Sequence, residues 1–172
     1  GTVYIVSGLP RSGTSMMMQM LEAGGMEVFT DNVREANRDN PNGYYEHQNV
    51  KRLASDNRII YEAKDKVVKV ISSLIRFLPG NMKYKIVFMK RPIKDVAQSQ
   101  DIMRQNLAPG EKTNTVFEID KLLDNSYKMA IDHADNSENI EYIEVSYHEV
   151  LSNPTSSINE LKGFFERALL AE

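Results

Sequence analysis

Between a β-branched, apolar run at Thr2–Ser7 and an amphipathic stretch at Thr14–Glu22, the chain carries Gly8-Leu9-Pro10-Arg11-Ser12-Gly13-Thr14-Ser15. An apolar run halted by Gly and Pro reads as a buried strand. Met17, Met20 and Leu21 share one stripe that ends at Gly24-Gly25, which reads as a helix. Glycines five positions apart at a strand-to-helix turn predict a loop whose backbone N–H groups curl inward around an anion. The helix N-terminus adds positive partial charge there. The pattern comes close to G-x-x-x-x-G-K-[ST], but Thr14 stands in the lysine position. The loop's one cation is therefore Arg11, with hydroxyls on Ser12, Thr14 and Ser15, and the lysine that a nucleoside triphosphatase aims at its β- and γ-phosphates is missing.

The remaining chain alternates strand-like and helix-like segments. Strands are expected at Val67–Ile71, Lys85–Lys90 and Ile140–Val145, and helical segments at His47–Ile60, Ser72–Phe77, Ile93–Arg104 and 115–134. Ser146-Tyr147-His148-Glu149 fits a capping box, and Asn153-Pro154 starts a last helix by the same N-cap and first-turn logic. Residues 30–46 and 105–114 read as polar loops. This order implies a single α/β domain over 1–172, three-layer α/β/α around a mostly parallel sheet, of the P-loop NTPase-like kind. Ligands of such folds bind beyond the carboxyl ends of the strands.

The end of the third strand carries a second cation. In Arg91-Pro92-Ile93-Lys94-Asp95-Val96-Ala97-Gln98-Ser99 the proline drives Arg91 into an extended conformation, so that it projects from the strand end. Ser99 comes about two helical turns after Pro92, on the same face. Arg91 and Ser99 could share one phosphate, the former by a charged fork and the latter by its hydroxyl. With the first loop this makes two anion sites on one sheet edge.

Composition narrows the chemistry. With no Cys among 172 residues, thiol nucleophiles, thiolate zinc sites and Fe–S clusters are excluded. A net charge of −3 offers no global pull on nucleic acid or anionic lipid. The longest apolar stretches fall far short of the ~20 residues that span a bilayer. The N-terminal GTVYIVSG lacks a basic flank, Gly1 reads as a trimmed end, and a cytoplasmic location is expected.

These residues resemble the sulfotransferase family that uses 3′-phosphoadenosine 5′-phosphosulfate (PAPS). Leu9–Ser15 is similar to its 5′-phosphosulfate loop, and Arg91 with Ser99 to its 3′-phosphate motif. Asn40-Pro41-Asn42-Gly43-Tyr44-Tyr45-Glu46 resembles a segment of bacterial-type members, Val67–Pro79 one bearing a strand Lys, here Lys69, and Ser146–Pro154 a tyrosine–acidic–leucine turn. The chain is short for the family and has no Arg-Lys-Gly element near its C-terminus.

The resemblance implies metal-free transfer of a sulfuryl group from PAPS to a hydroxyl or amine acceptor, a small molecule or carbohydrate. Arg11, Ser12, Gly13, Thr14, Ser15, Arg91 and Ser99 would hold the donor; Arg11, with the backbone N–H groups of residues 12–15, would also act catalytically by stabilising charge on the bridging and sulfuryl oxygens; Lys69 would touch the sulfuryl oxygens, and Glu46 would act as general base, with His47 its rival. His148 is expected to be structural and His133 exposed. A P-loop nucleoside kinase and a non-catalytic nucleotide-binding module are the competing readings. The oligomeric state stays open.

Overall fold

The computed structural model describes residues 1–31, 44–107 and 116–170. Its centre is a four-stranded sheet in the order β2-β1-β3-β4, formed by Thr2–Gly8 (β1), Val67–Lys69 (β2), Lys83–Lys90 (β3) and Ile140–Ser146 (β4). Every pairing is parallel, with Tyr4 opposite both Val67 and Lys85, and Val87 opposite Ile143. Parallel strands need crossovers, and helices supply the covering layers: Thr14–Ala23 (α1), Ile93–Leu107 (α2), Val116–Asp135 (α3), Tyr147–Ser152 (α4) and Pro154–Leu170 (α5).

The two faces of the sheet bury separate cores. Val3, Ile5, Ile86 and Phe88 pack against Ile60, Ile75, Ala130 and Ala134 on one side. Tyr4, Val6, Val87 and Met89 pack against Met17, Met18, Leu21, Leu161 and Phe164 on the other. β1 is buried along its whole length, as an inner strand of a doubly covered sheet must be. The three-layer α/β/α reading holds, and the sheet is wholly parallel.

Local departures have local causes. The helix expected over His47–Ile60 is replaced by short 3₁₀ turns at Val50–Arg52 and Arg58–Ala63. Between them the Ser55 hydroxyl donates to the Arg52 carbonyl, and the Asp56 carboxylate accepts from the Arg58 amide, so side chains take over backbone partners a helix would need. β2 stops at Lys69, and α2 continues past Arg104 to Leu107. In α3 the buried stripe runs through Tyr127, Ala130, Ile131 and Ala134, whereas Leu122 and Met129 are 66% and 57% exposed. The expected caps form: Ser146 Oγ accepts from the Glu149 amide at 3.3 Å, and Asn153 Oδ1 from the Ser156 amide at 3.3 Å. Among the described residues no helix is long and apolar enough to cross a membrane.

Candidate functional site

The turn after β1 is shaped by close approach. A Cβ on Gly8 (φ 144°) would lie 2.8 Å from the Met89 carbonyl oxygen and 2.7 Å from Ser12 Oγ. A Cβ on Gly13 (φ 94°) would lie 2.5 Å from Cδ2 of Tyr147. Between them Arg11 is held at φ 64°, a left-handed conformation that costs a non-glycine residue roughly 1–3 kcal/mol. Three contacts over-determine the loop. Ser12 donates from both its hydroxyl (2.6 Å) and its amide (3.3 Å) to the Leu9 carbonyl. Arg91 Nη1 donates to the Arg11 carbonyl at 2.6 Å. Arg11 Nε donates to Ser99 Oγ at 3.0 Å.

α1 then begins with Gly13 as its N-cap, and no side chain caps it. The first intrahelical bond runs from the Met17 amide to the Gly13 carbonyl, at 3.0 Å. The amides of Thr14, Ser15 and Met16 precede that bond and have no helix carbonyl to donate to. They open onto a cavity of about 390 Å³ lined by Gly8–Arg11, Gly13–Met16, Tyr44, Glu46, Lys69, Ile71, Arg91, Gln100, Met103 and Tyr147. Its wall thus carries the cations Arg11, Lys69 and Arg91 and the carboxylate Glu46. An electropositive, half-enclosed cleft at the carboxyl edge of a parallel sheet is suited to a multiply charged anion.

The strand neighbouring β1 closes the other side. Lys69, the last residue of β2, donates from Nζ to Ser15 Oγ at 2.7 Å and to the Tyr44 carbonyl. The Ser15 hydroxyl donates to that same carbonyl at 3.3 Å. Glu46 enters through the chain beside it: its carbonyl accepts from Thr30 Oγ1 at 2.6 Å, and its carboxylate pairs with Lys51 Nζ at 2.7 Å. Tyr45 sits between at φ 55°, its hydroxyl donating to Glu22 at 2.7 Å. Burial, and then Glu22, push its pKa above the ordinary tyrosine value.

The expected site residues therefore separate into groups. Arg11, Gly13, Thr14, Ser15, Glu46, Lys69 and Arg91 meet at one cavity. Ser12 does not line it: the side chain is buried, and its amide and hydroxyl are engaged with the Leu9 carbonyl. Arg91 and Ser99, expected to share one phosphate, are not hydrogen-bonded to each other. Both converge on Arg11, one on its carbonyl and the other on its guanidinium, and Ser99 lies off the cavity wall.

His47 is stacked on Phe29, with ring centroids 4.8 Å apart, and accepts from the Asn49 amide at 3.2 Å; it does not reach the cavity. His148 bridges to Asp95 at 2.9 Å outside it, and His133 is half-buried rather than exposed. The segment Asn40–Gly43 and the loop over 108–114 lie outside the described residues. Tyr44, Gln100, Met103 and Tyr147 are wall residues the sequence reading passed over. Tyr147 was hidden inside a capping box, and Gln100 and Met103 were legible only as the helical neighbours of Ser99, at the spacing that follows Val96 on one face of α2.

No protein-family model matches the chain, and no curated protein is similar to it in sequence. Among solved structures it is similar to a sulfotransferase domain from the curacin biosynthetic pathway, with a TM-score of 0.55 and 15% identity, over 96% of this chain and 74% of that one. That likeness is one of fold: the chain has the α/β architecture of a sulfotransferase domain.

Proposed function

We propose that the chain is a PAPS-dependent sulfotransferase. The observation that carries this reading is the convergence of Arg11, Lys69, Arg91 and the first amides of α1 on one cavity, around a loop with threonine in place of the P-loop lysine. This donor set fits a nucleotide with two separate anionic groups. The fold, similar to a sulfotransferase domain, supports the same reading.

In the proposed reaction an acceptor oxygen or nitrogen attacks sulfur in line. The bond from sulfur to the 5′-phosphate oxygen breaks, and the electron pair leaves with adenosine 3′,5′-bisphosphate. Lys69 and the amides of Thr14–Met16 stabilise charge on the sulfuryl and bridging oxygens, where fixed donors act without reorganisation. Glu46, on the same wall, accepts the acceptor's proton. The mixed apolar and polar wall of Met16, Ile71, Met103 and Gln100 leaves room for a small-molecule or carbohydrate acceptor.

Thermal-shift titration tests the reading. Adenosine 3′,5′-bisphosphate is expected to raise the melting temperature without Mg²⁺, by mass action on the folded state. Stabilisation by ATP–Mg²⁺ and none by the bisphosphate would overturn it in favour of a phosphotransferase. A screen of acceptors with labelled PAPS then identifies the acceptor.

A further inference from the structure

Tyr147 stands where three parts of the molecule meet. It is the first residue of α4, directly after β4, at the opposite end of the chain from the loop it touches. One face of its ring lies 4.4 Å from the guanidinium carbon of Arg91. Its Cδ2 occupies the space a Cβ on Gly13 would need, at 2.5 Å. The ring therefore presses on the N-cap of α1 and at the same time floors the arginine that grips the Arg11 carbonyl.

We propose that Tyr147 is a positioning residue that holds the anion loop through Arg91. Among the described residues, the Arg91 guanidinium makes one hydrogen bond, to the Arg11 carbonyl, and its Nε is buried with no partner. A long side chain held by one hydrogen bond swings freely unless a surface restrains it, and the quadrupole of an aromatic face is such a surface for a cation. Arg91 in turn fixes a carbonyl belonging to a residue in a left-handed conformation. Removal of the ring thus loosens Arg91, then the Arg11 peptide, then the amides that follow it. The hydroxyl of Tyr147 plays no part in this chain of contacts, so phenylalanine replaces it and an aliphatic side chain does not. The effect on ligand affinity rests on the function proposed above; the effect on the loop does not.

The test is amide hydrogen exchange at Ser12 and Met17, whose amides donate to the Leu9 and Gly13 carbonyls at the two ends of the loop, in the protein without nucleotide, alongside titration with adenosine 3′,5′-bisphosphate. Tyr147→Leu is expected to speed exchange in the loop by roughly tenfold, with the amides of β1 and β3 as protected as before. Tyr147→Phe should retain wild-type exchange. Arg91→Ala should speed the loop by a similar factor, and adding Tyr147→Leu to it should add nothing further. Unchanged loop exchange in Tyr147→Leu, or effects that simply add in the double variant, overturn the proposal. Should the leucine variant not fold, Tyr147→Met takes its place with the same expectations. Bisphosphate affinity should fall roughly tenfold in Tyr147→Leu, in step with exchange. A wild-type protein that does not bind the bisphosphate would overturn the proposed function, while exchange still decides the role of Tyr147.

Discussion

The Lys69 ammonium at the end of β2 donates to the hydroxyl of Ser15 in the first turn of α1, at 2.7 Å. Two neighbouring elements are thereby tied at the mouth of the cavity, and the Tyr44 carbonyl shares the same lysine. Charge-assisted hydrogen bonds of this kind contribute about 1.5–3 kcal/mol each. Lys69→Met, which keeps the aliphatic stem, is expected to lower the melting temperature by several degrees and, for the proposed reaction, to slow sulfuryl transfer by roughly tenfold or more. Calorimetry and single-turnover kinetics check the two effects.

Gly13 and Gly25 form a matched pair for separating clash from backbone strain. Both have positive φ, 94° and 99°, but a Cβ at Gly13 meets the Tyr147 ring, while one at Gly25 meets nothing within 4 Å. Gly25→Ala is expected to cost about 1 kcal/mol of stability from the left-handed backbone alone. Gly13→Ala should cost more, roughly 2–4 kcal/mol, since the ring must also move. Urea unfolding of both variants measures the difference.

As the proposed general base, Glu46 carries a distinct signature. Glu46→Gln keeps the shape of the cavity wall and removes the carboxylate. Binding of adenosine 3′,5′-bisphosphate should be retained, while transfer to a hydroxyl acceptor falls by about a hundredfold or more. Loss of the ion pair with Lys51, itself 46% exposed, should change stability by less than about 1 kcal/mol. Full transfer activity in this variant would remove Glu46 from the role.

Three tyrosines on the α3 side of the sheet make the fold sensitive to alkali. A hydrogen bond to Asp135, then burial, pushes Tyr142 up to about 12. Burial, then Glu144, raises Tyr127 further, and burial raises Tyr84. A folded-state value above the unfolded one means that the neutral phenol is favoured by folding. That contribution is fully present below about pH 10 and is lost as pH climbs through the raised values. Stability to urea is therefore expected to hold across neutral pH and to fall steeply above about pH 10, with tyrosinate absorbance rising in step. Tyr127→Phe, which cannot ionise, should soften that fall.

The strand-to-helix punctuation around Gly8–Ser15 was legible because it is local: Gly, Pro and an apolar run constrain the backbone wherever they occur. The caps at Ser146 and Asn153 were legible for the same reason, each bond spanning three residues. The helix expected over His47–Ile60 was not, since the apolar spacing there was outweighed by Ser55, Asp56 and Asn57, whose side chains bond backbone groups. The partners that Arg91 and Ser99 take were hidden for another reason. Their spacing on strand and helix was read correctly, but both found a nearer partner in a loop some eighty residues upstream.

What the sequence determined by itself is the alternation that forces a parallel sheet, and the lysine-free turn at the end of β1, because periodicity and backbone conformational preference are properties of short segments. What only the tertiary structure decided is which polar groups meet. The order β2-β1-β3-β4 sets β1 between the strands that end in Lys69 and Lys90, so Lys69 falls beside Ser15 and Arg91 beside Arg11. Tyr147 arrives from beyond β4 to press on Gly13. Those contacts join residues 54, 80 and 134 positions apart, and no spacing rule reaches so far. They exist because burial of two apolar faces fixes the strand order, and strand order fixes the cavity.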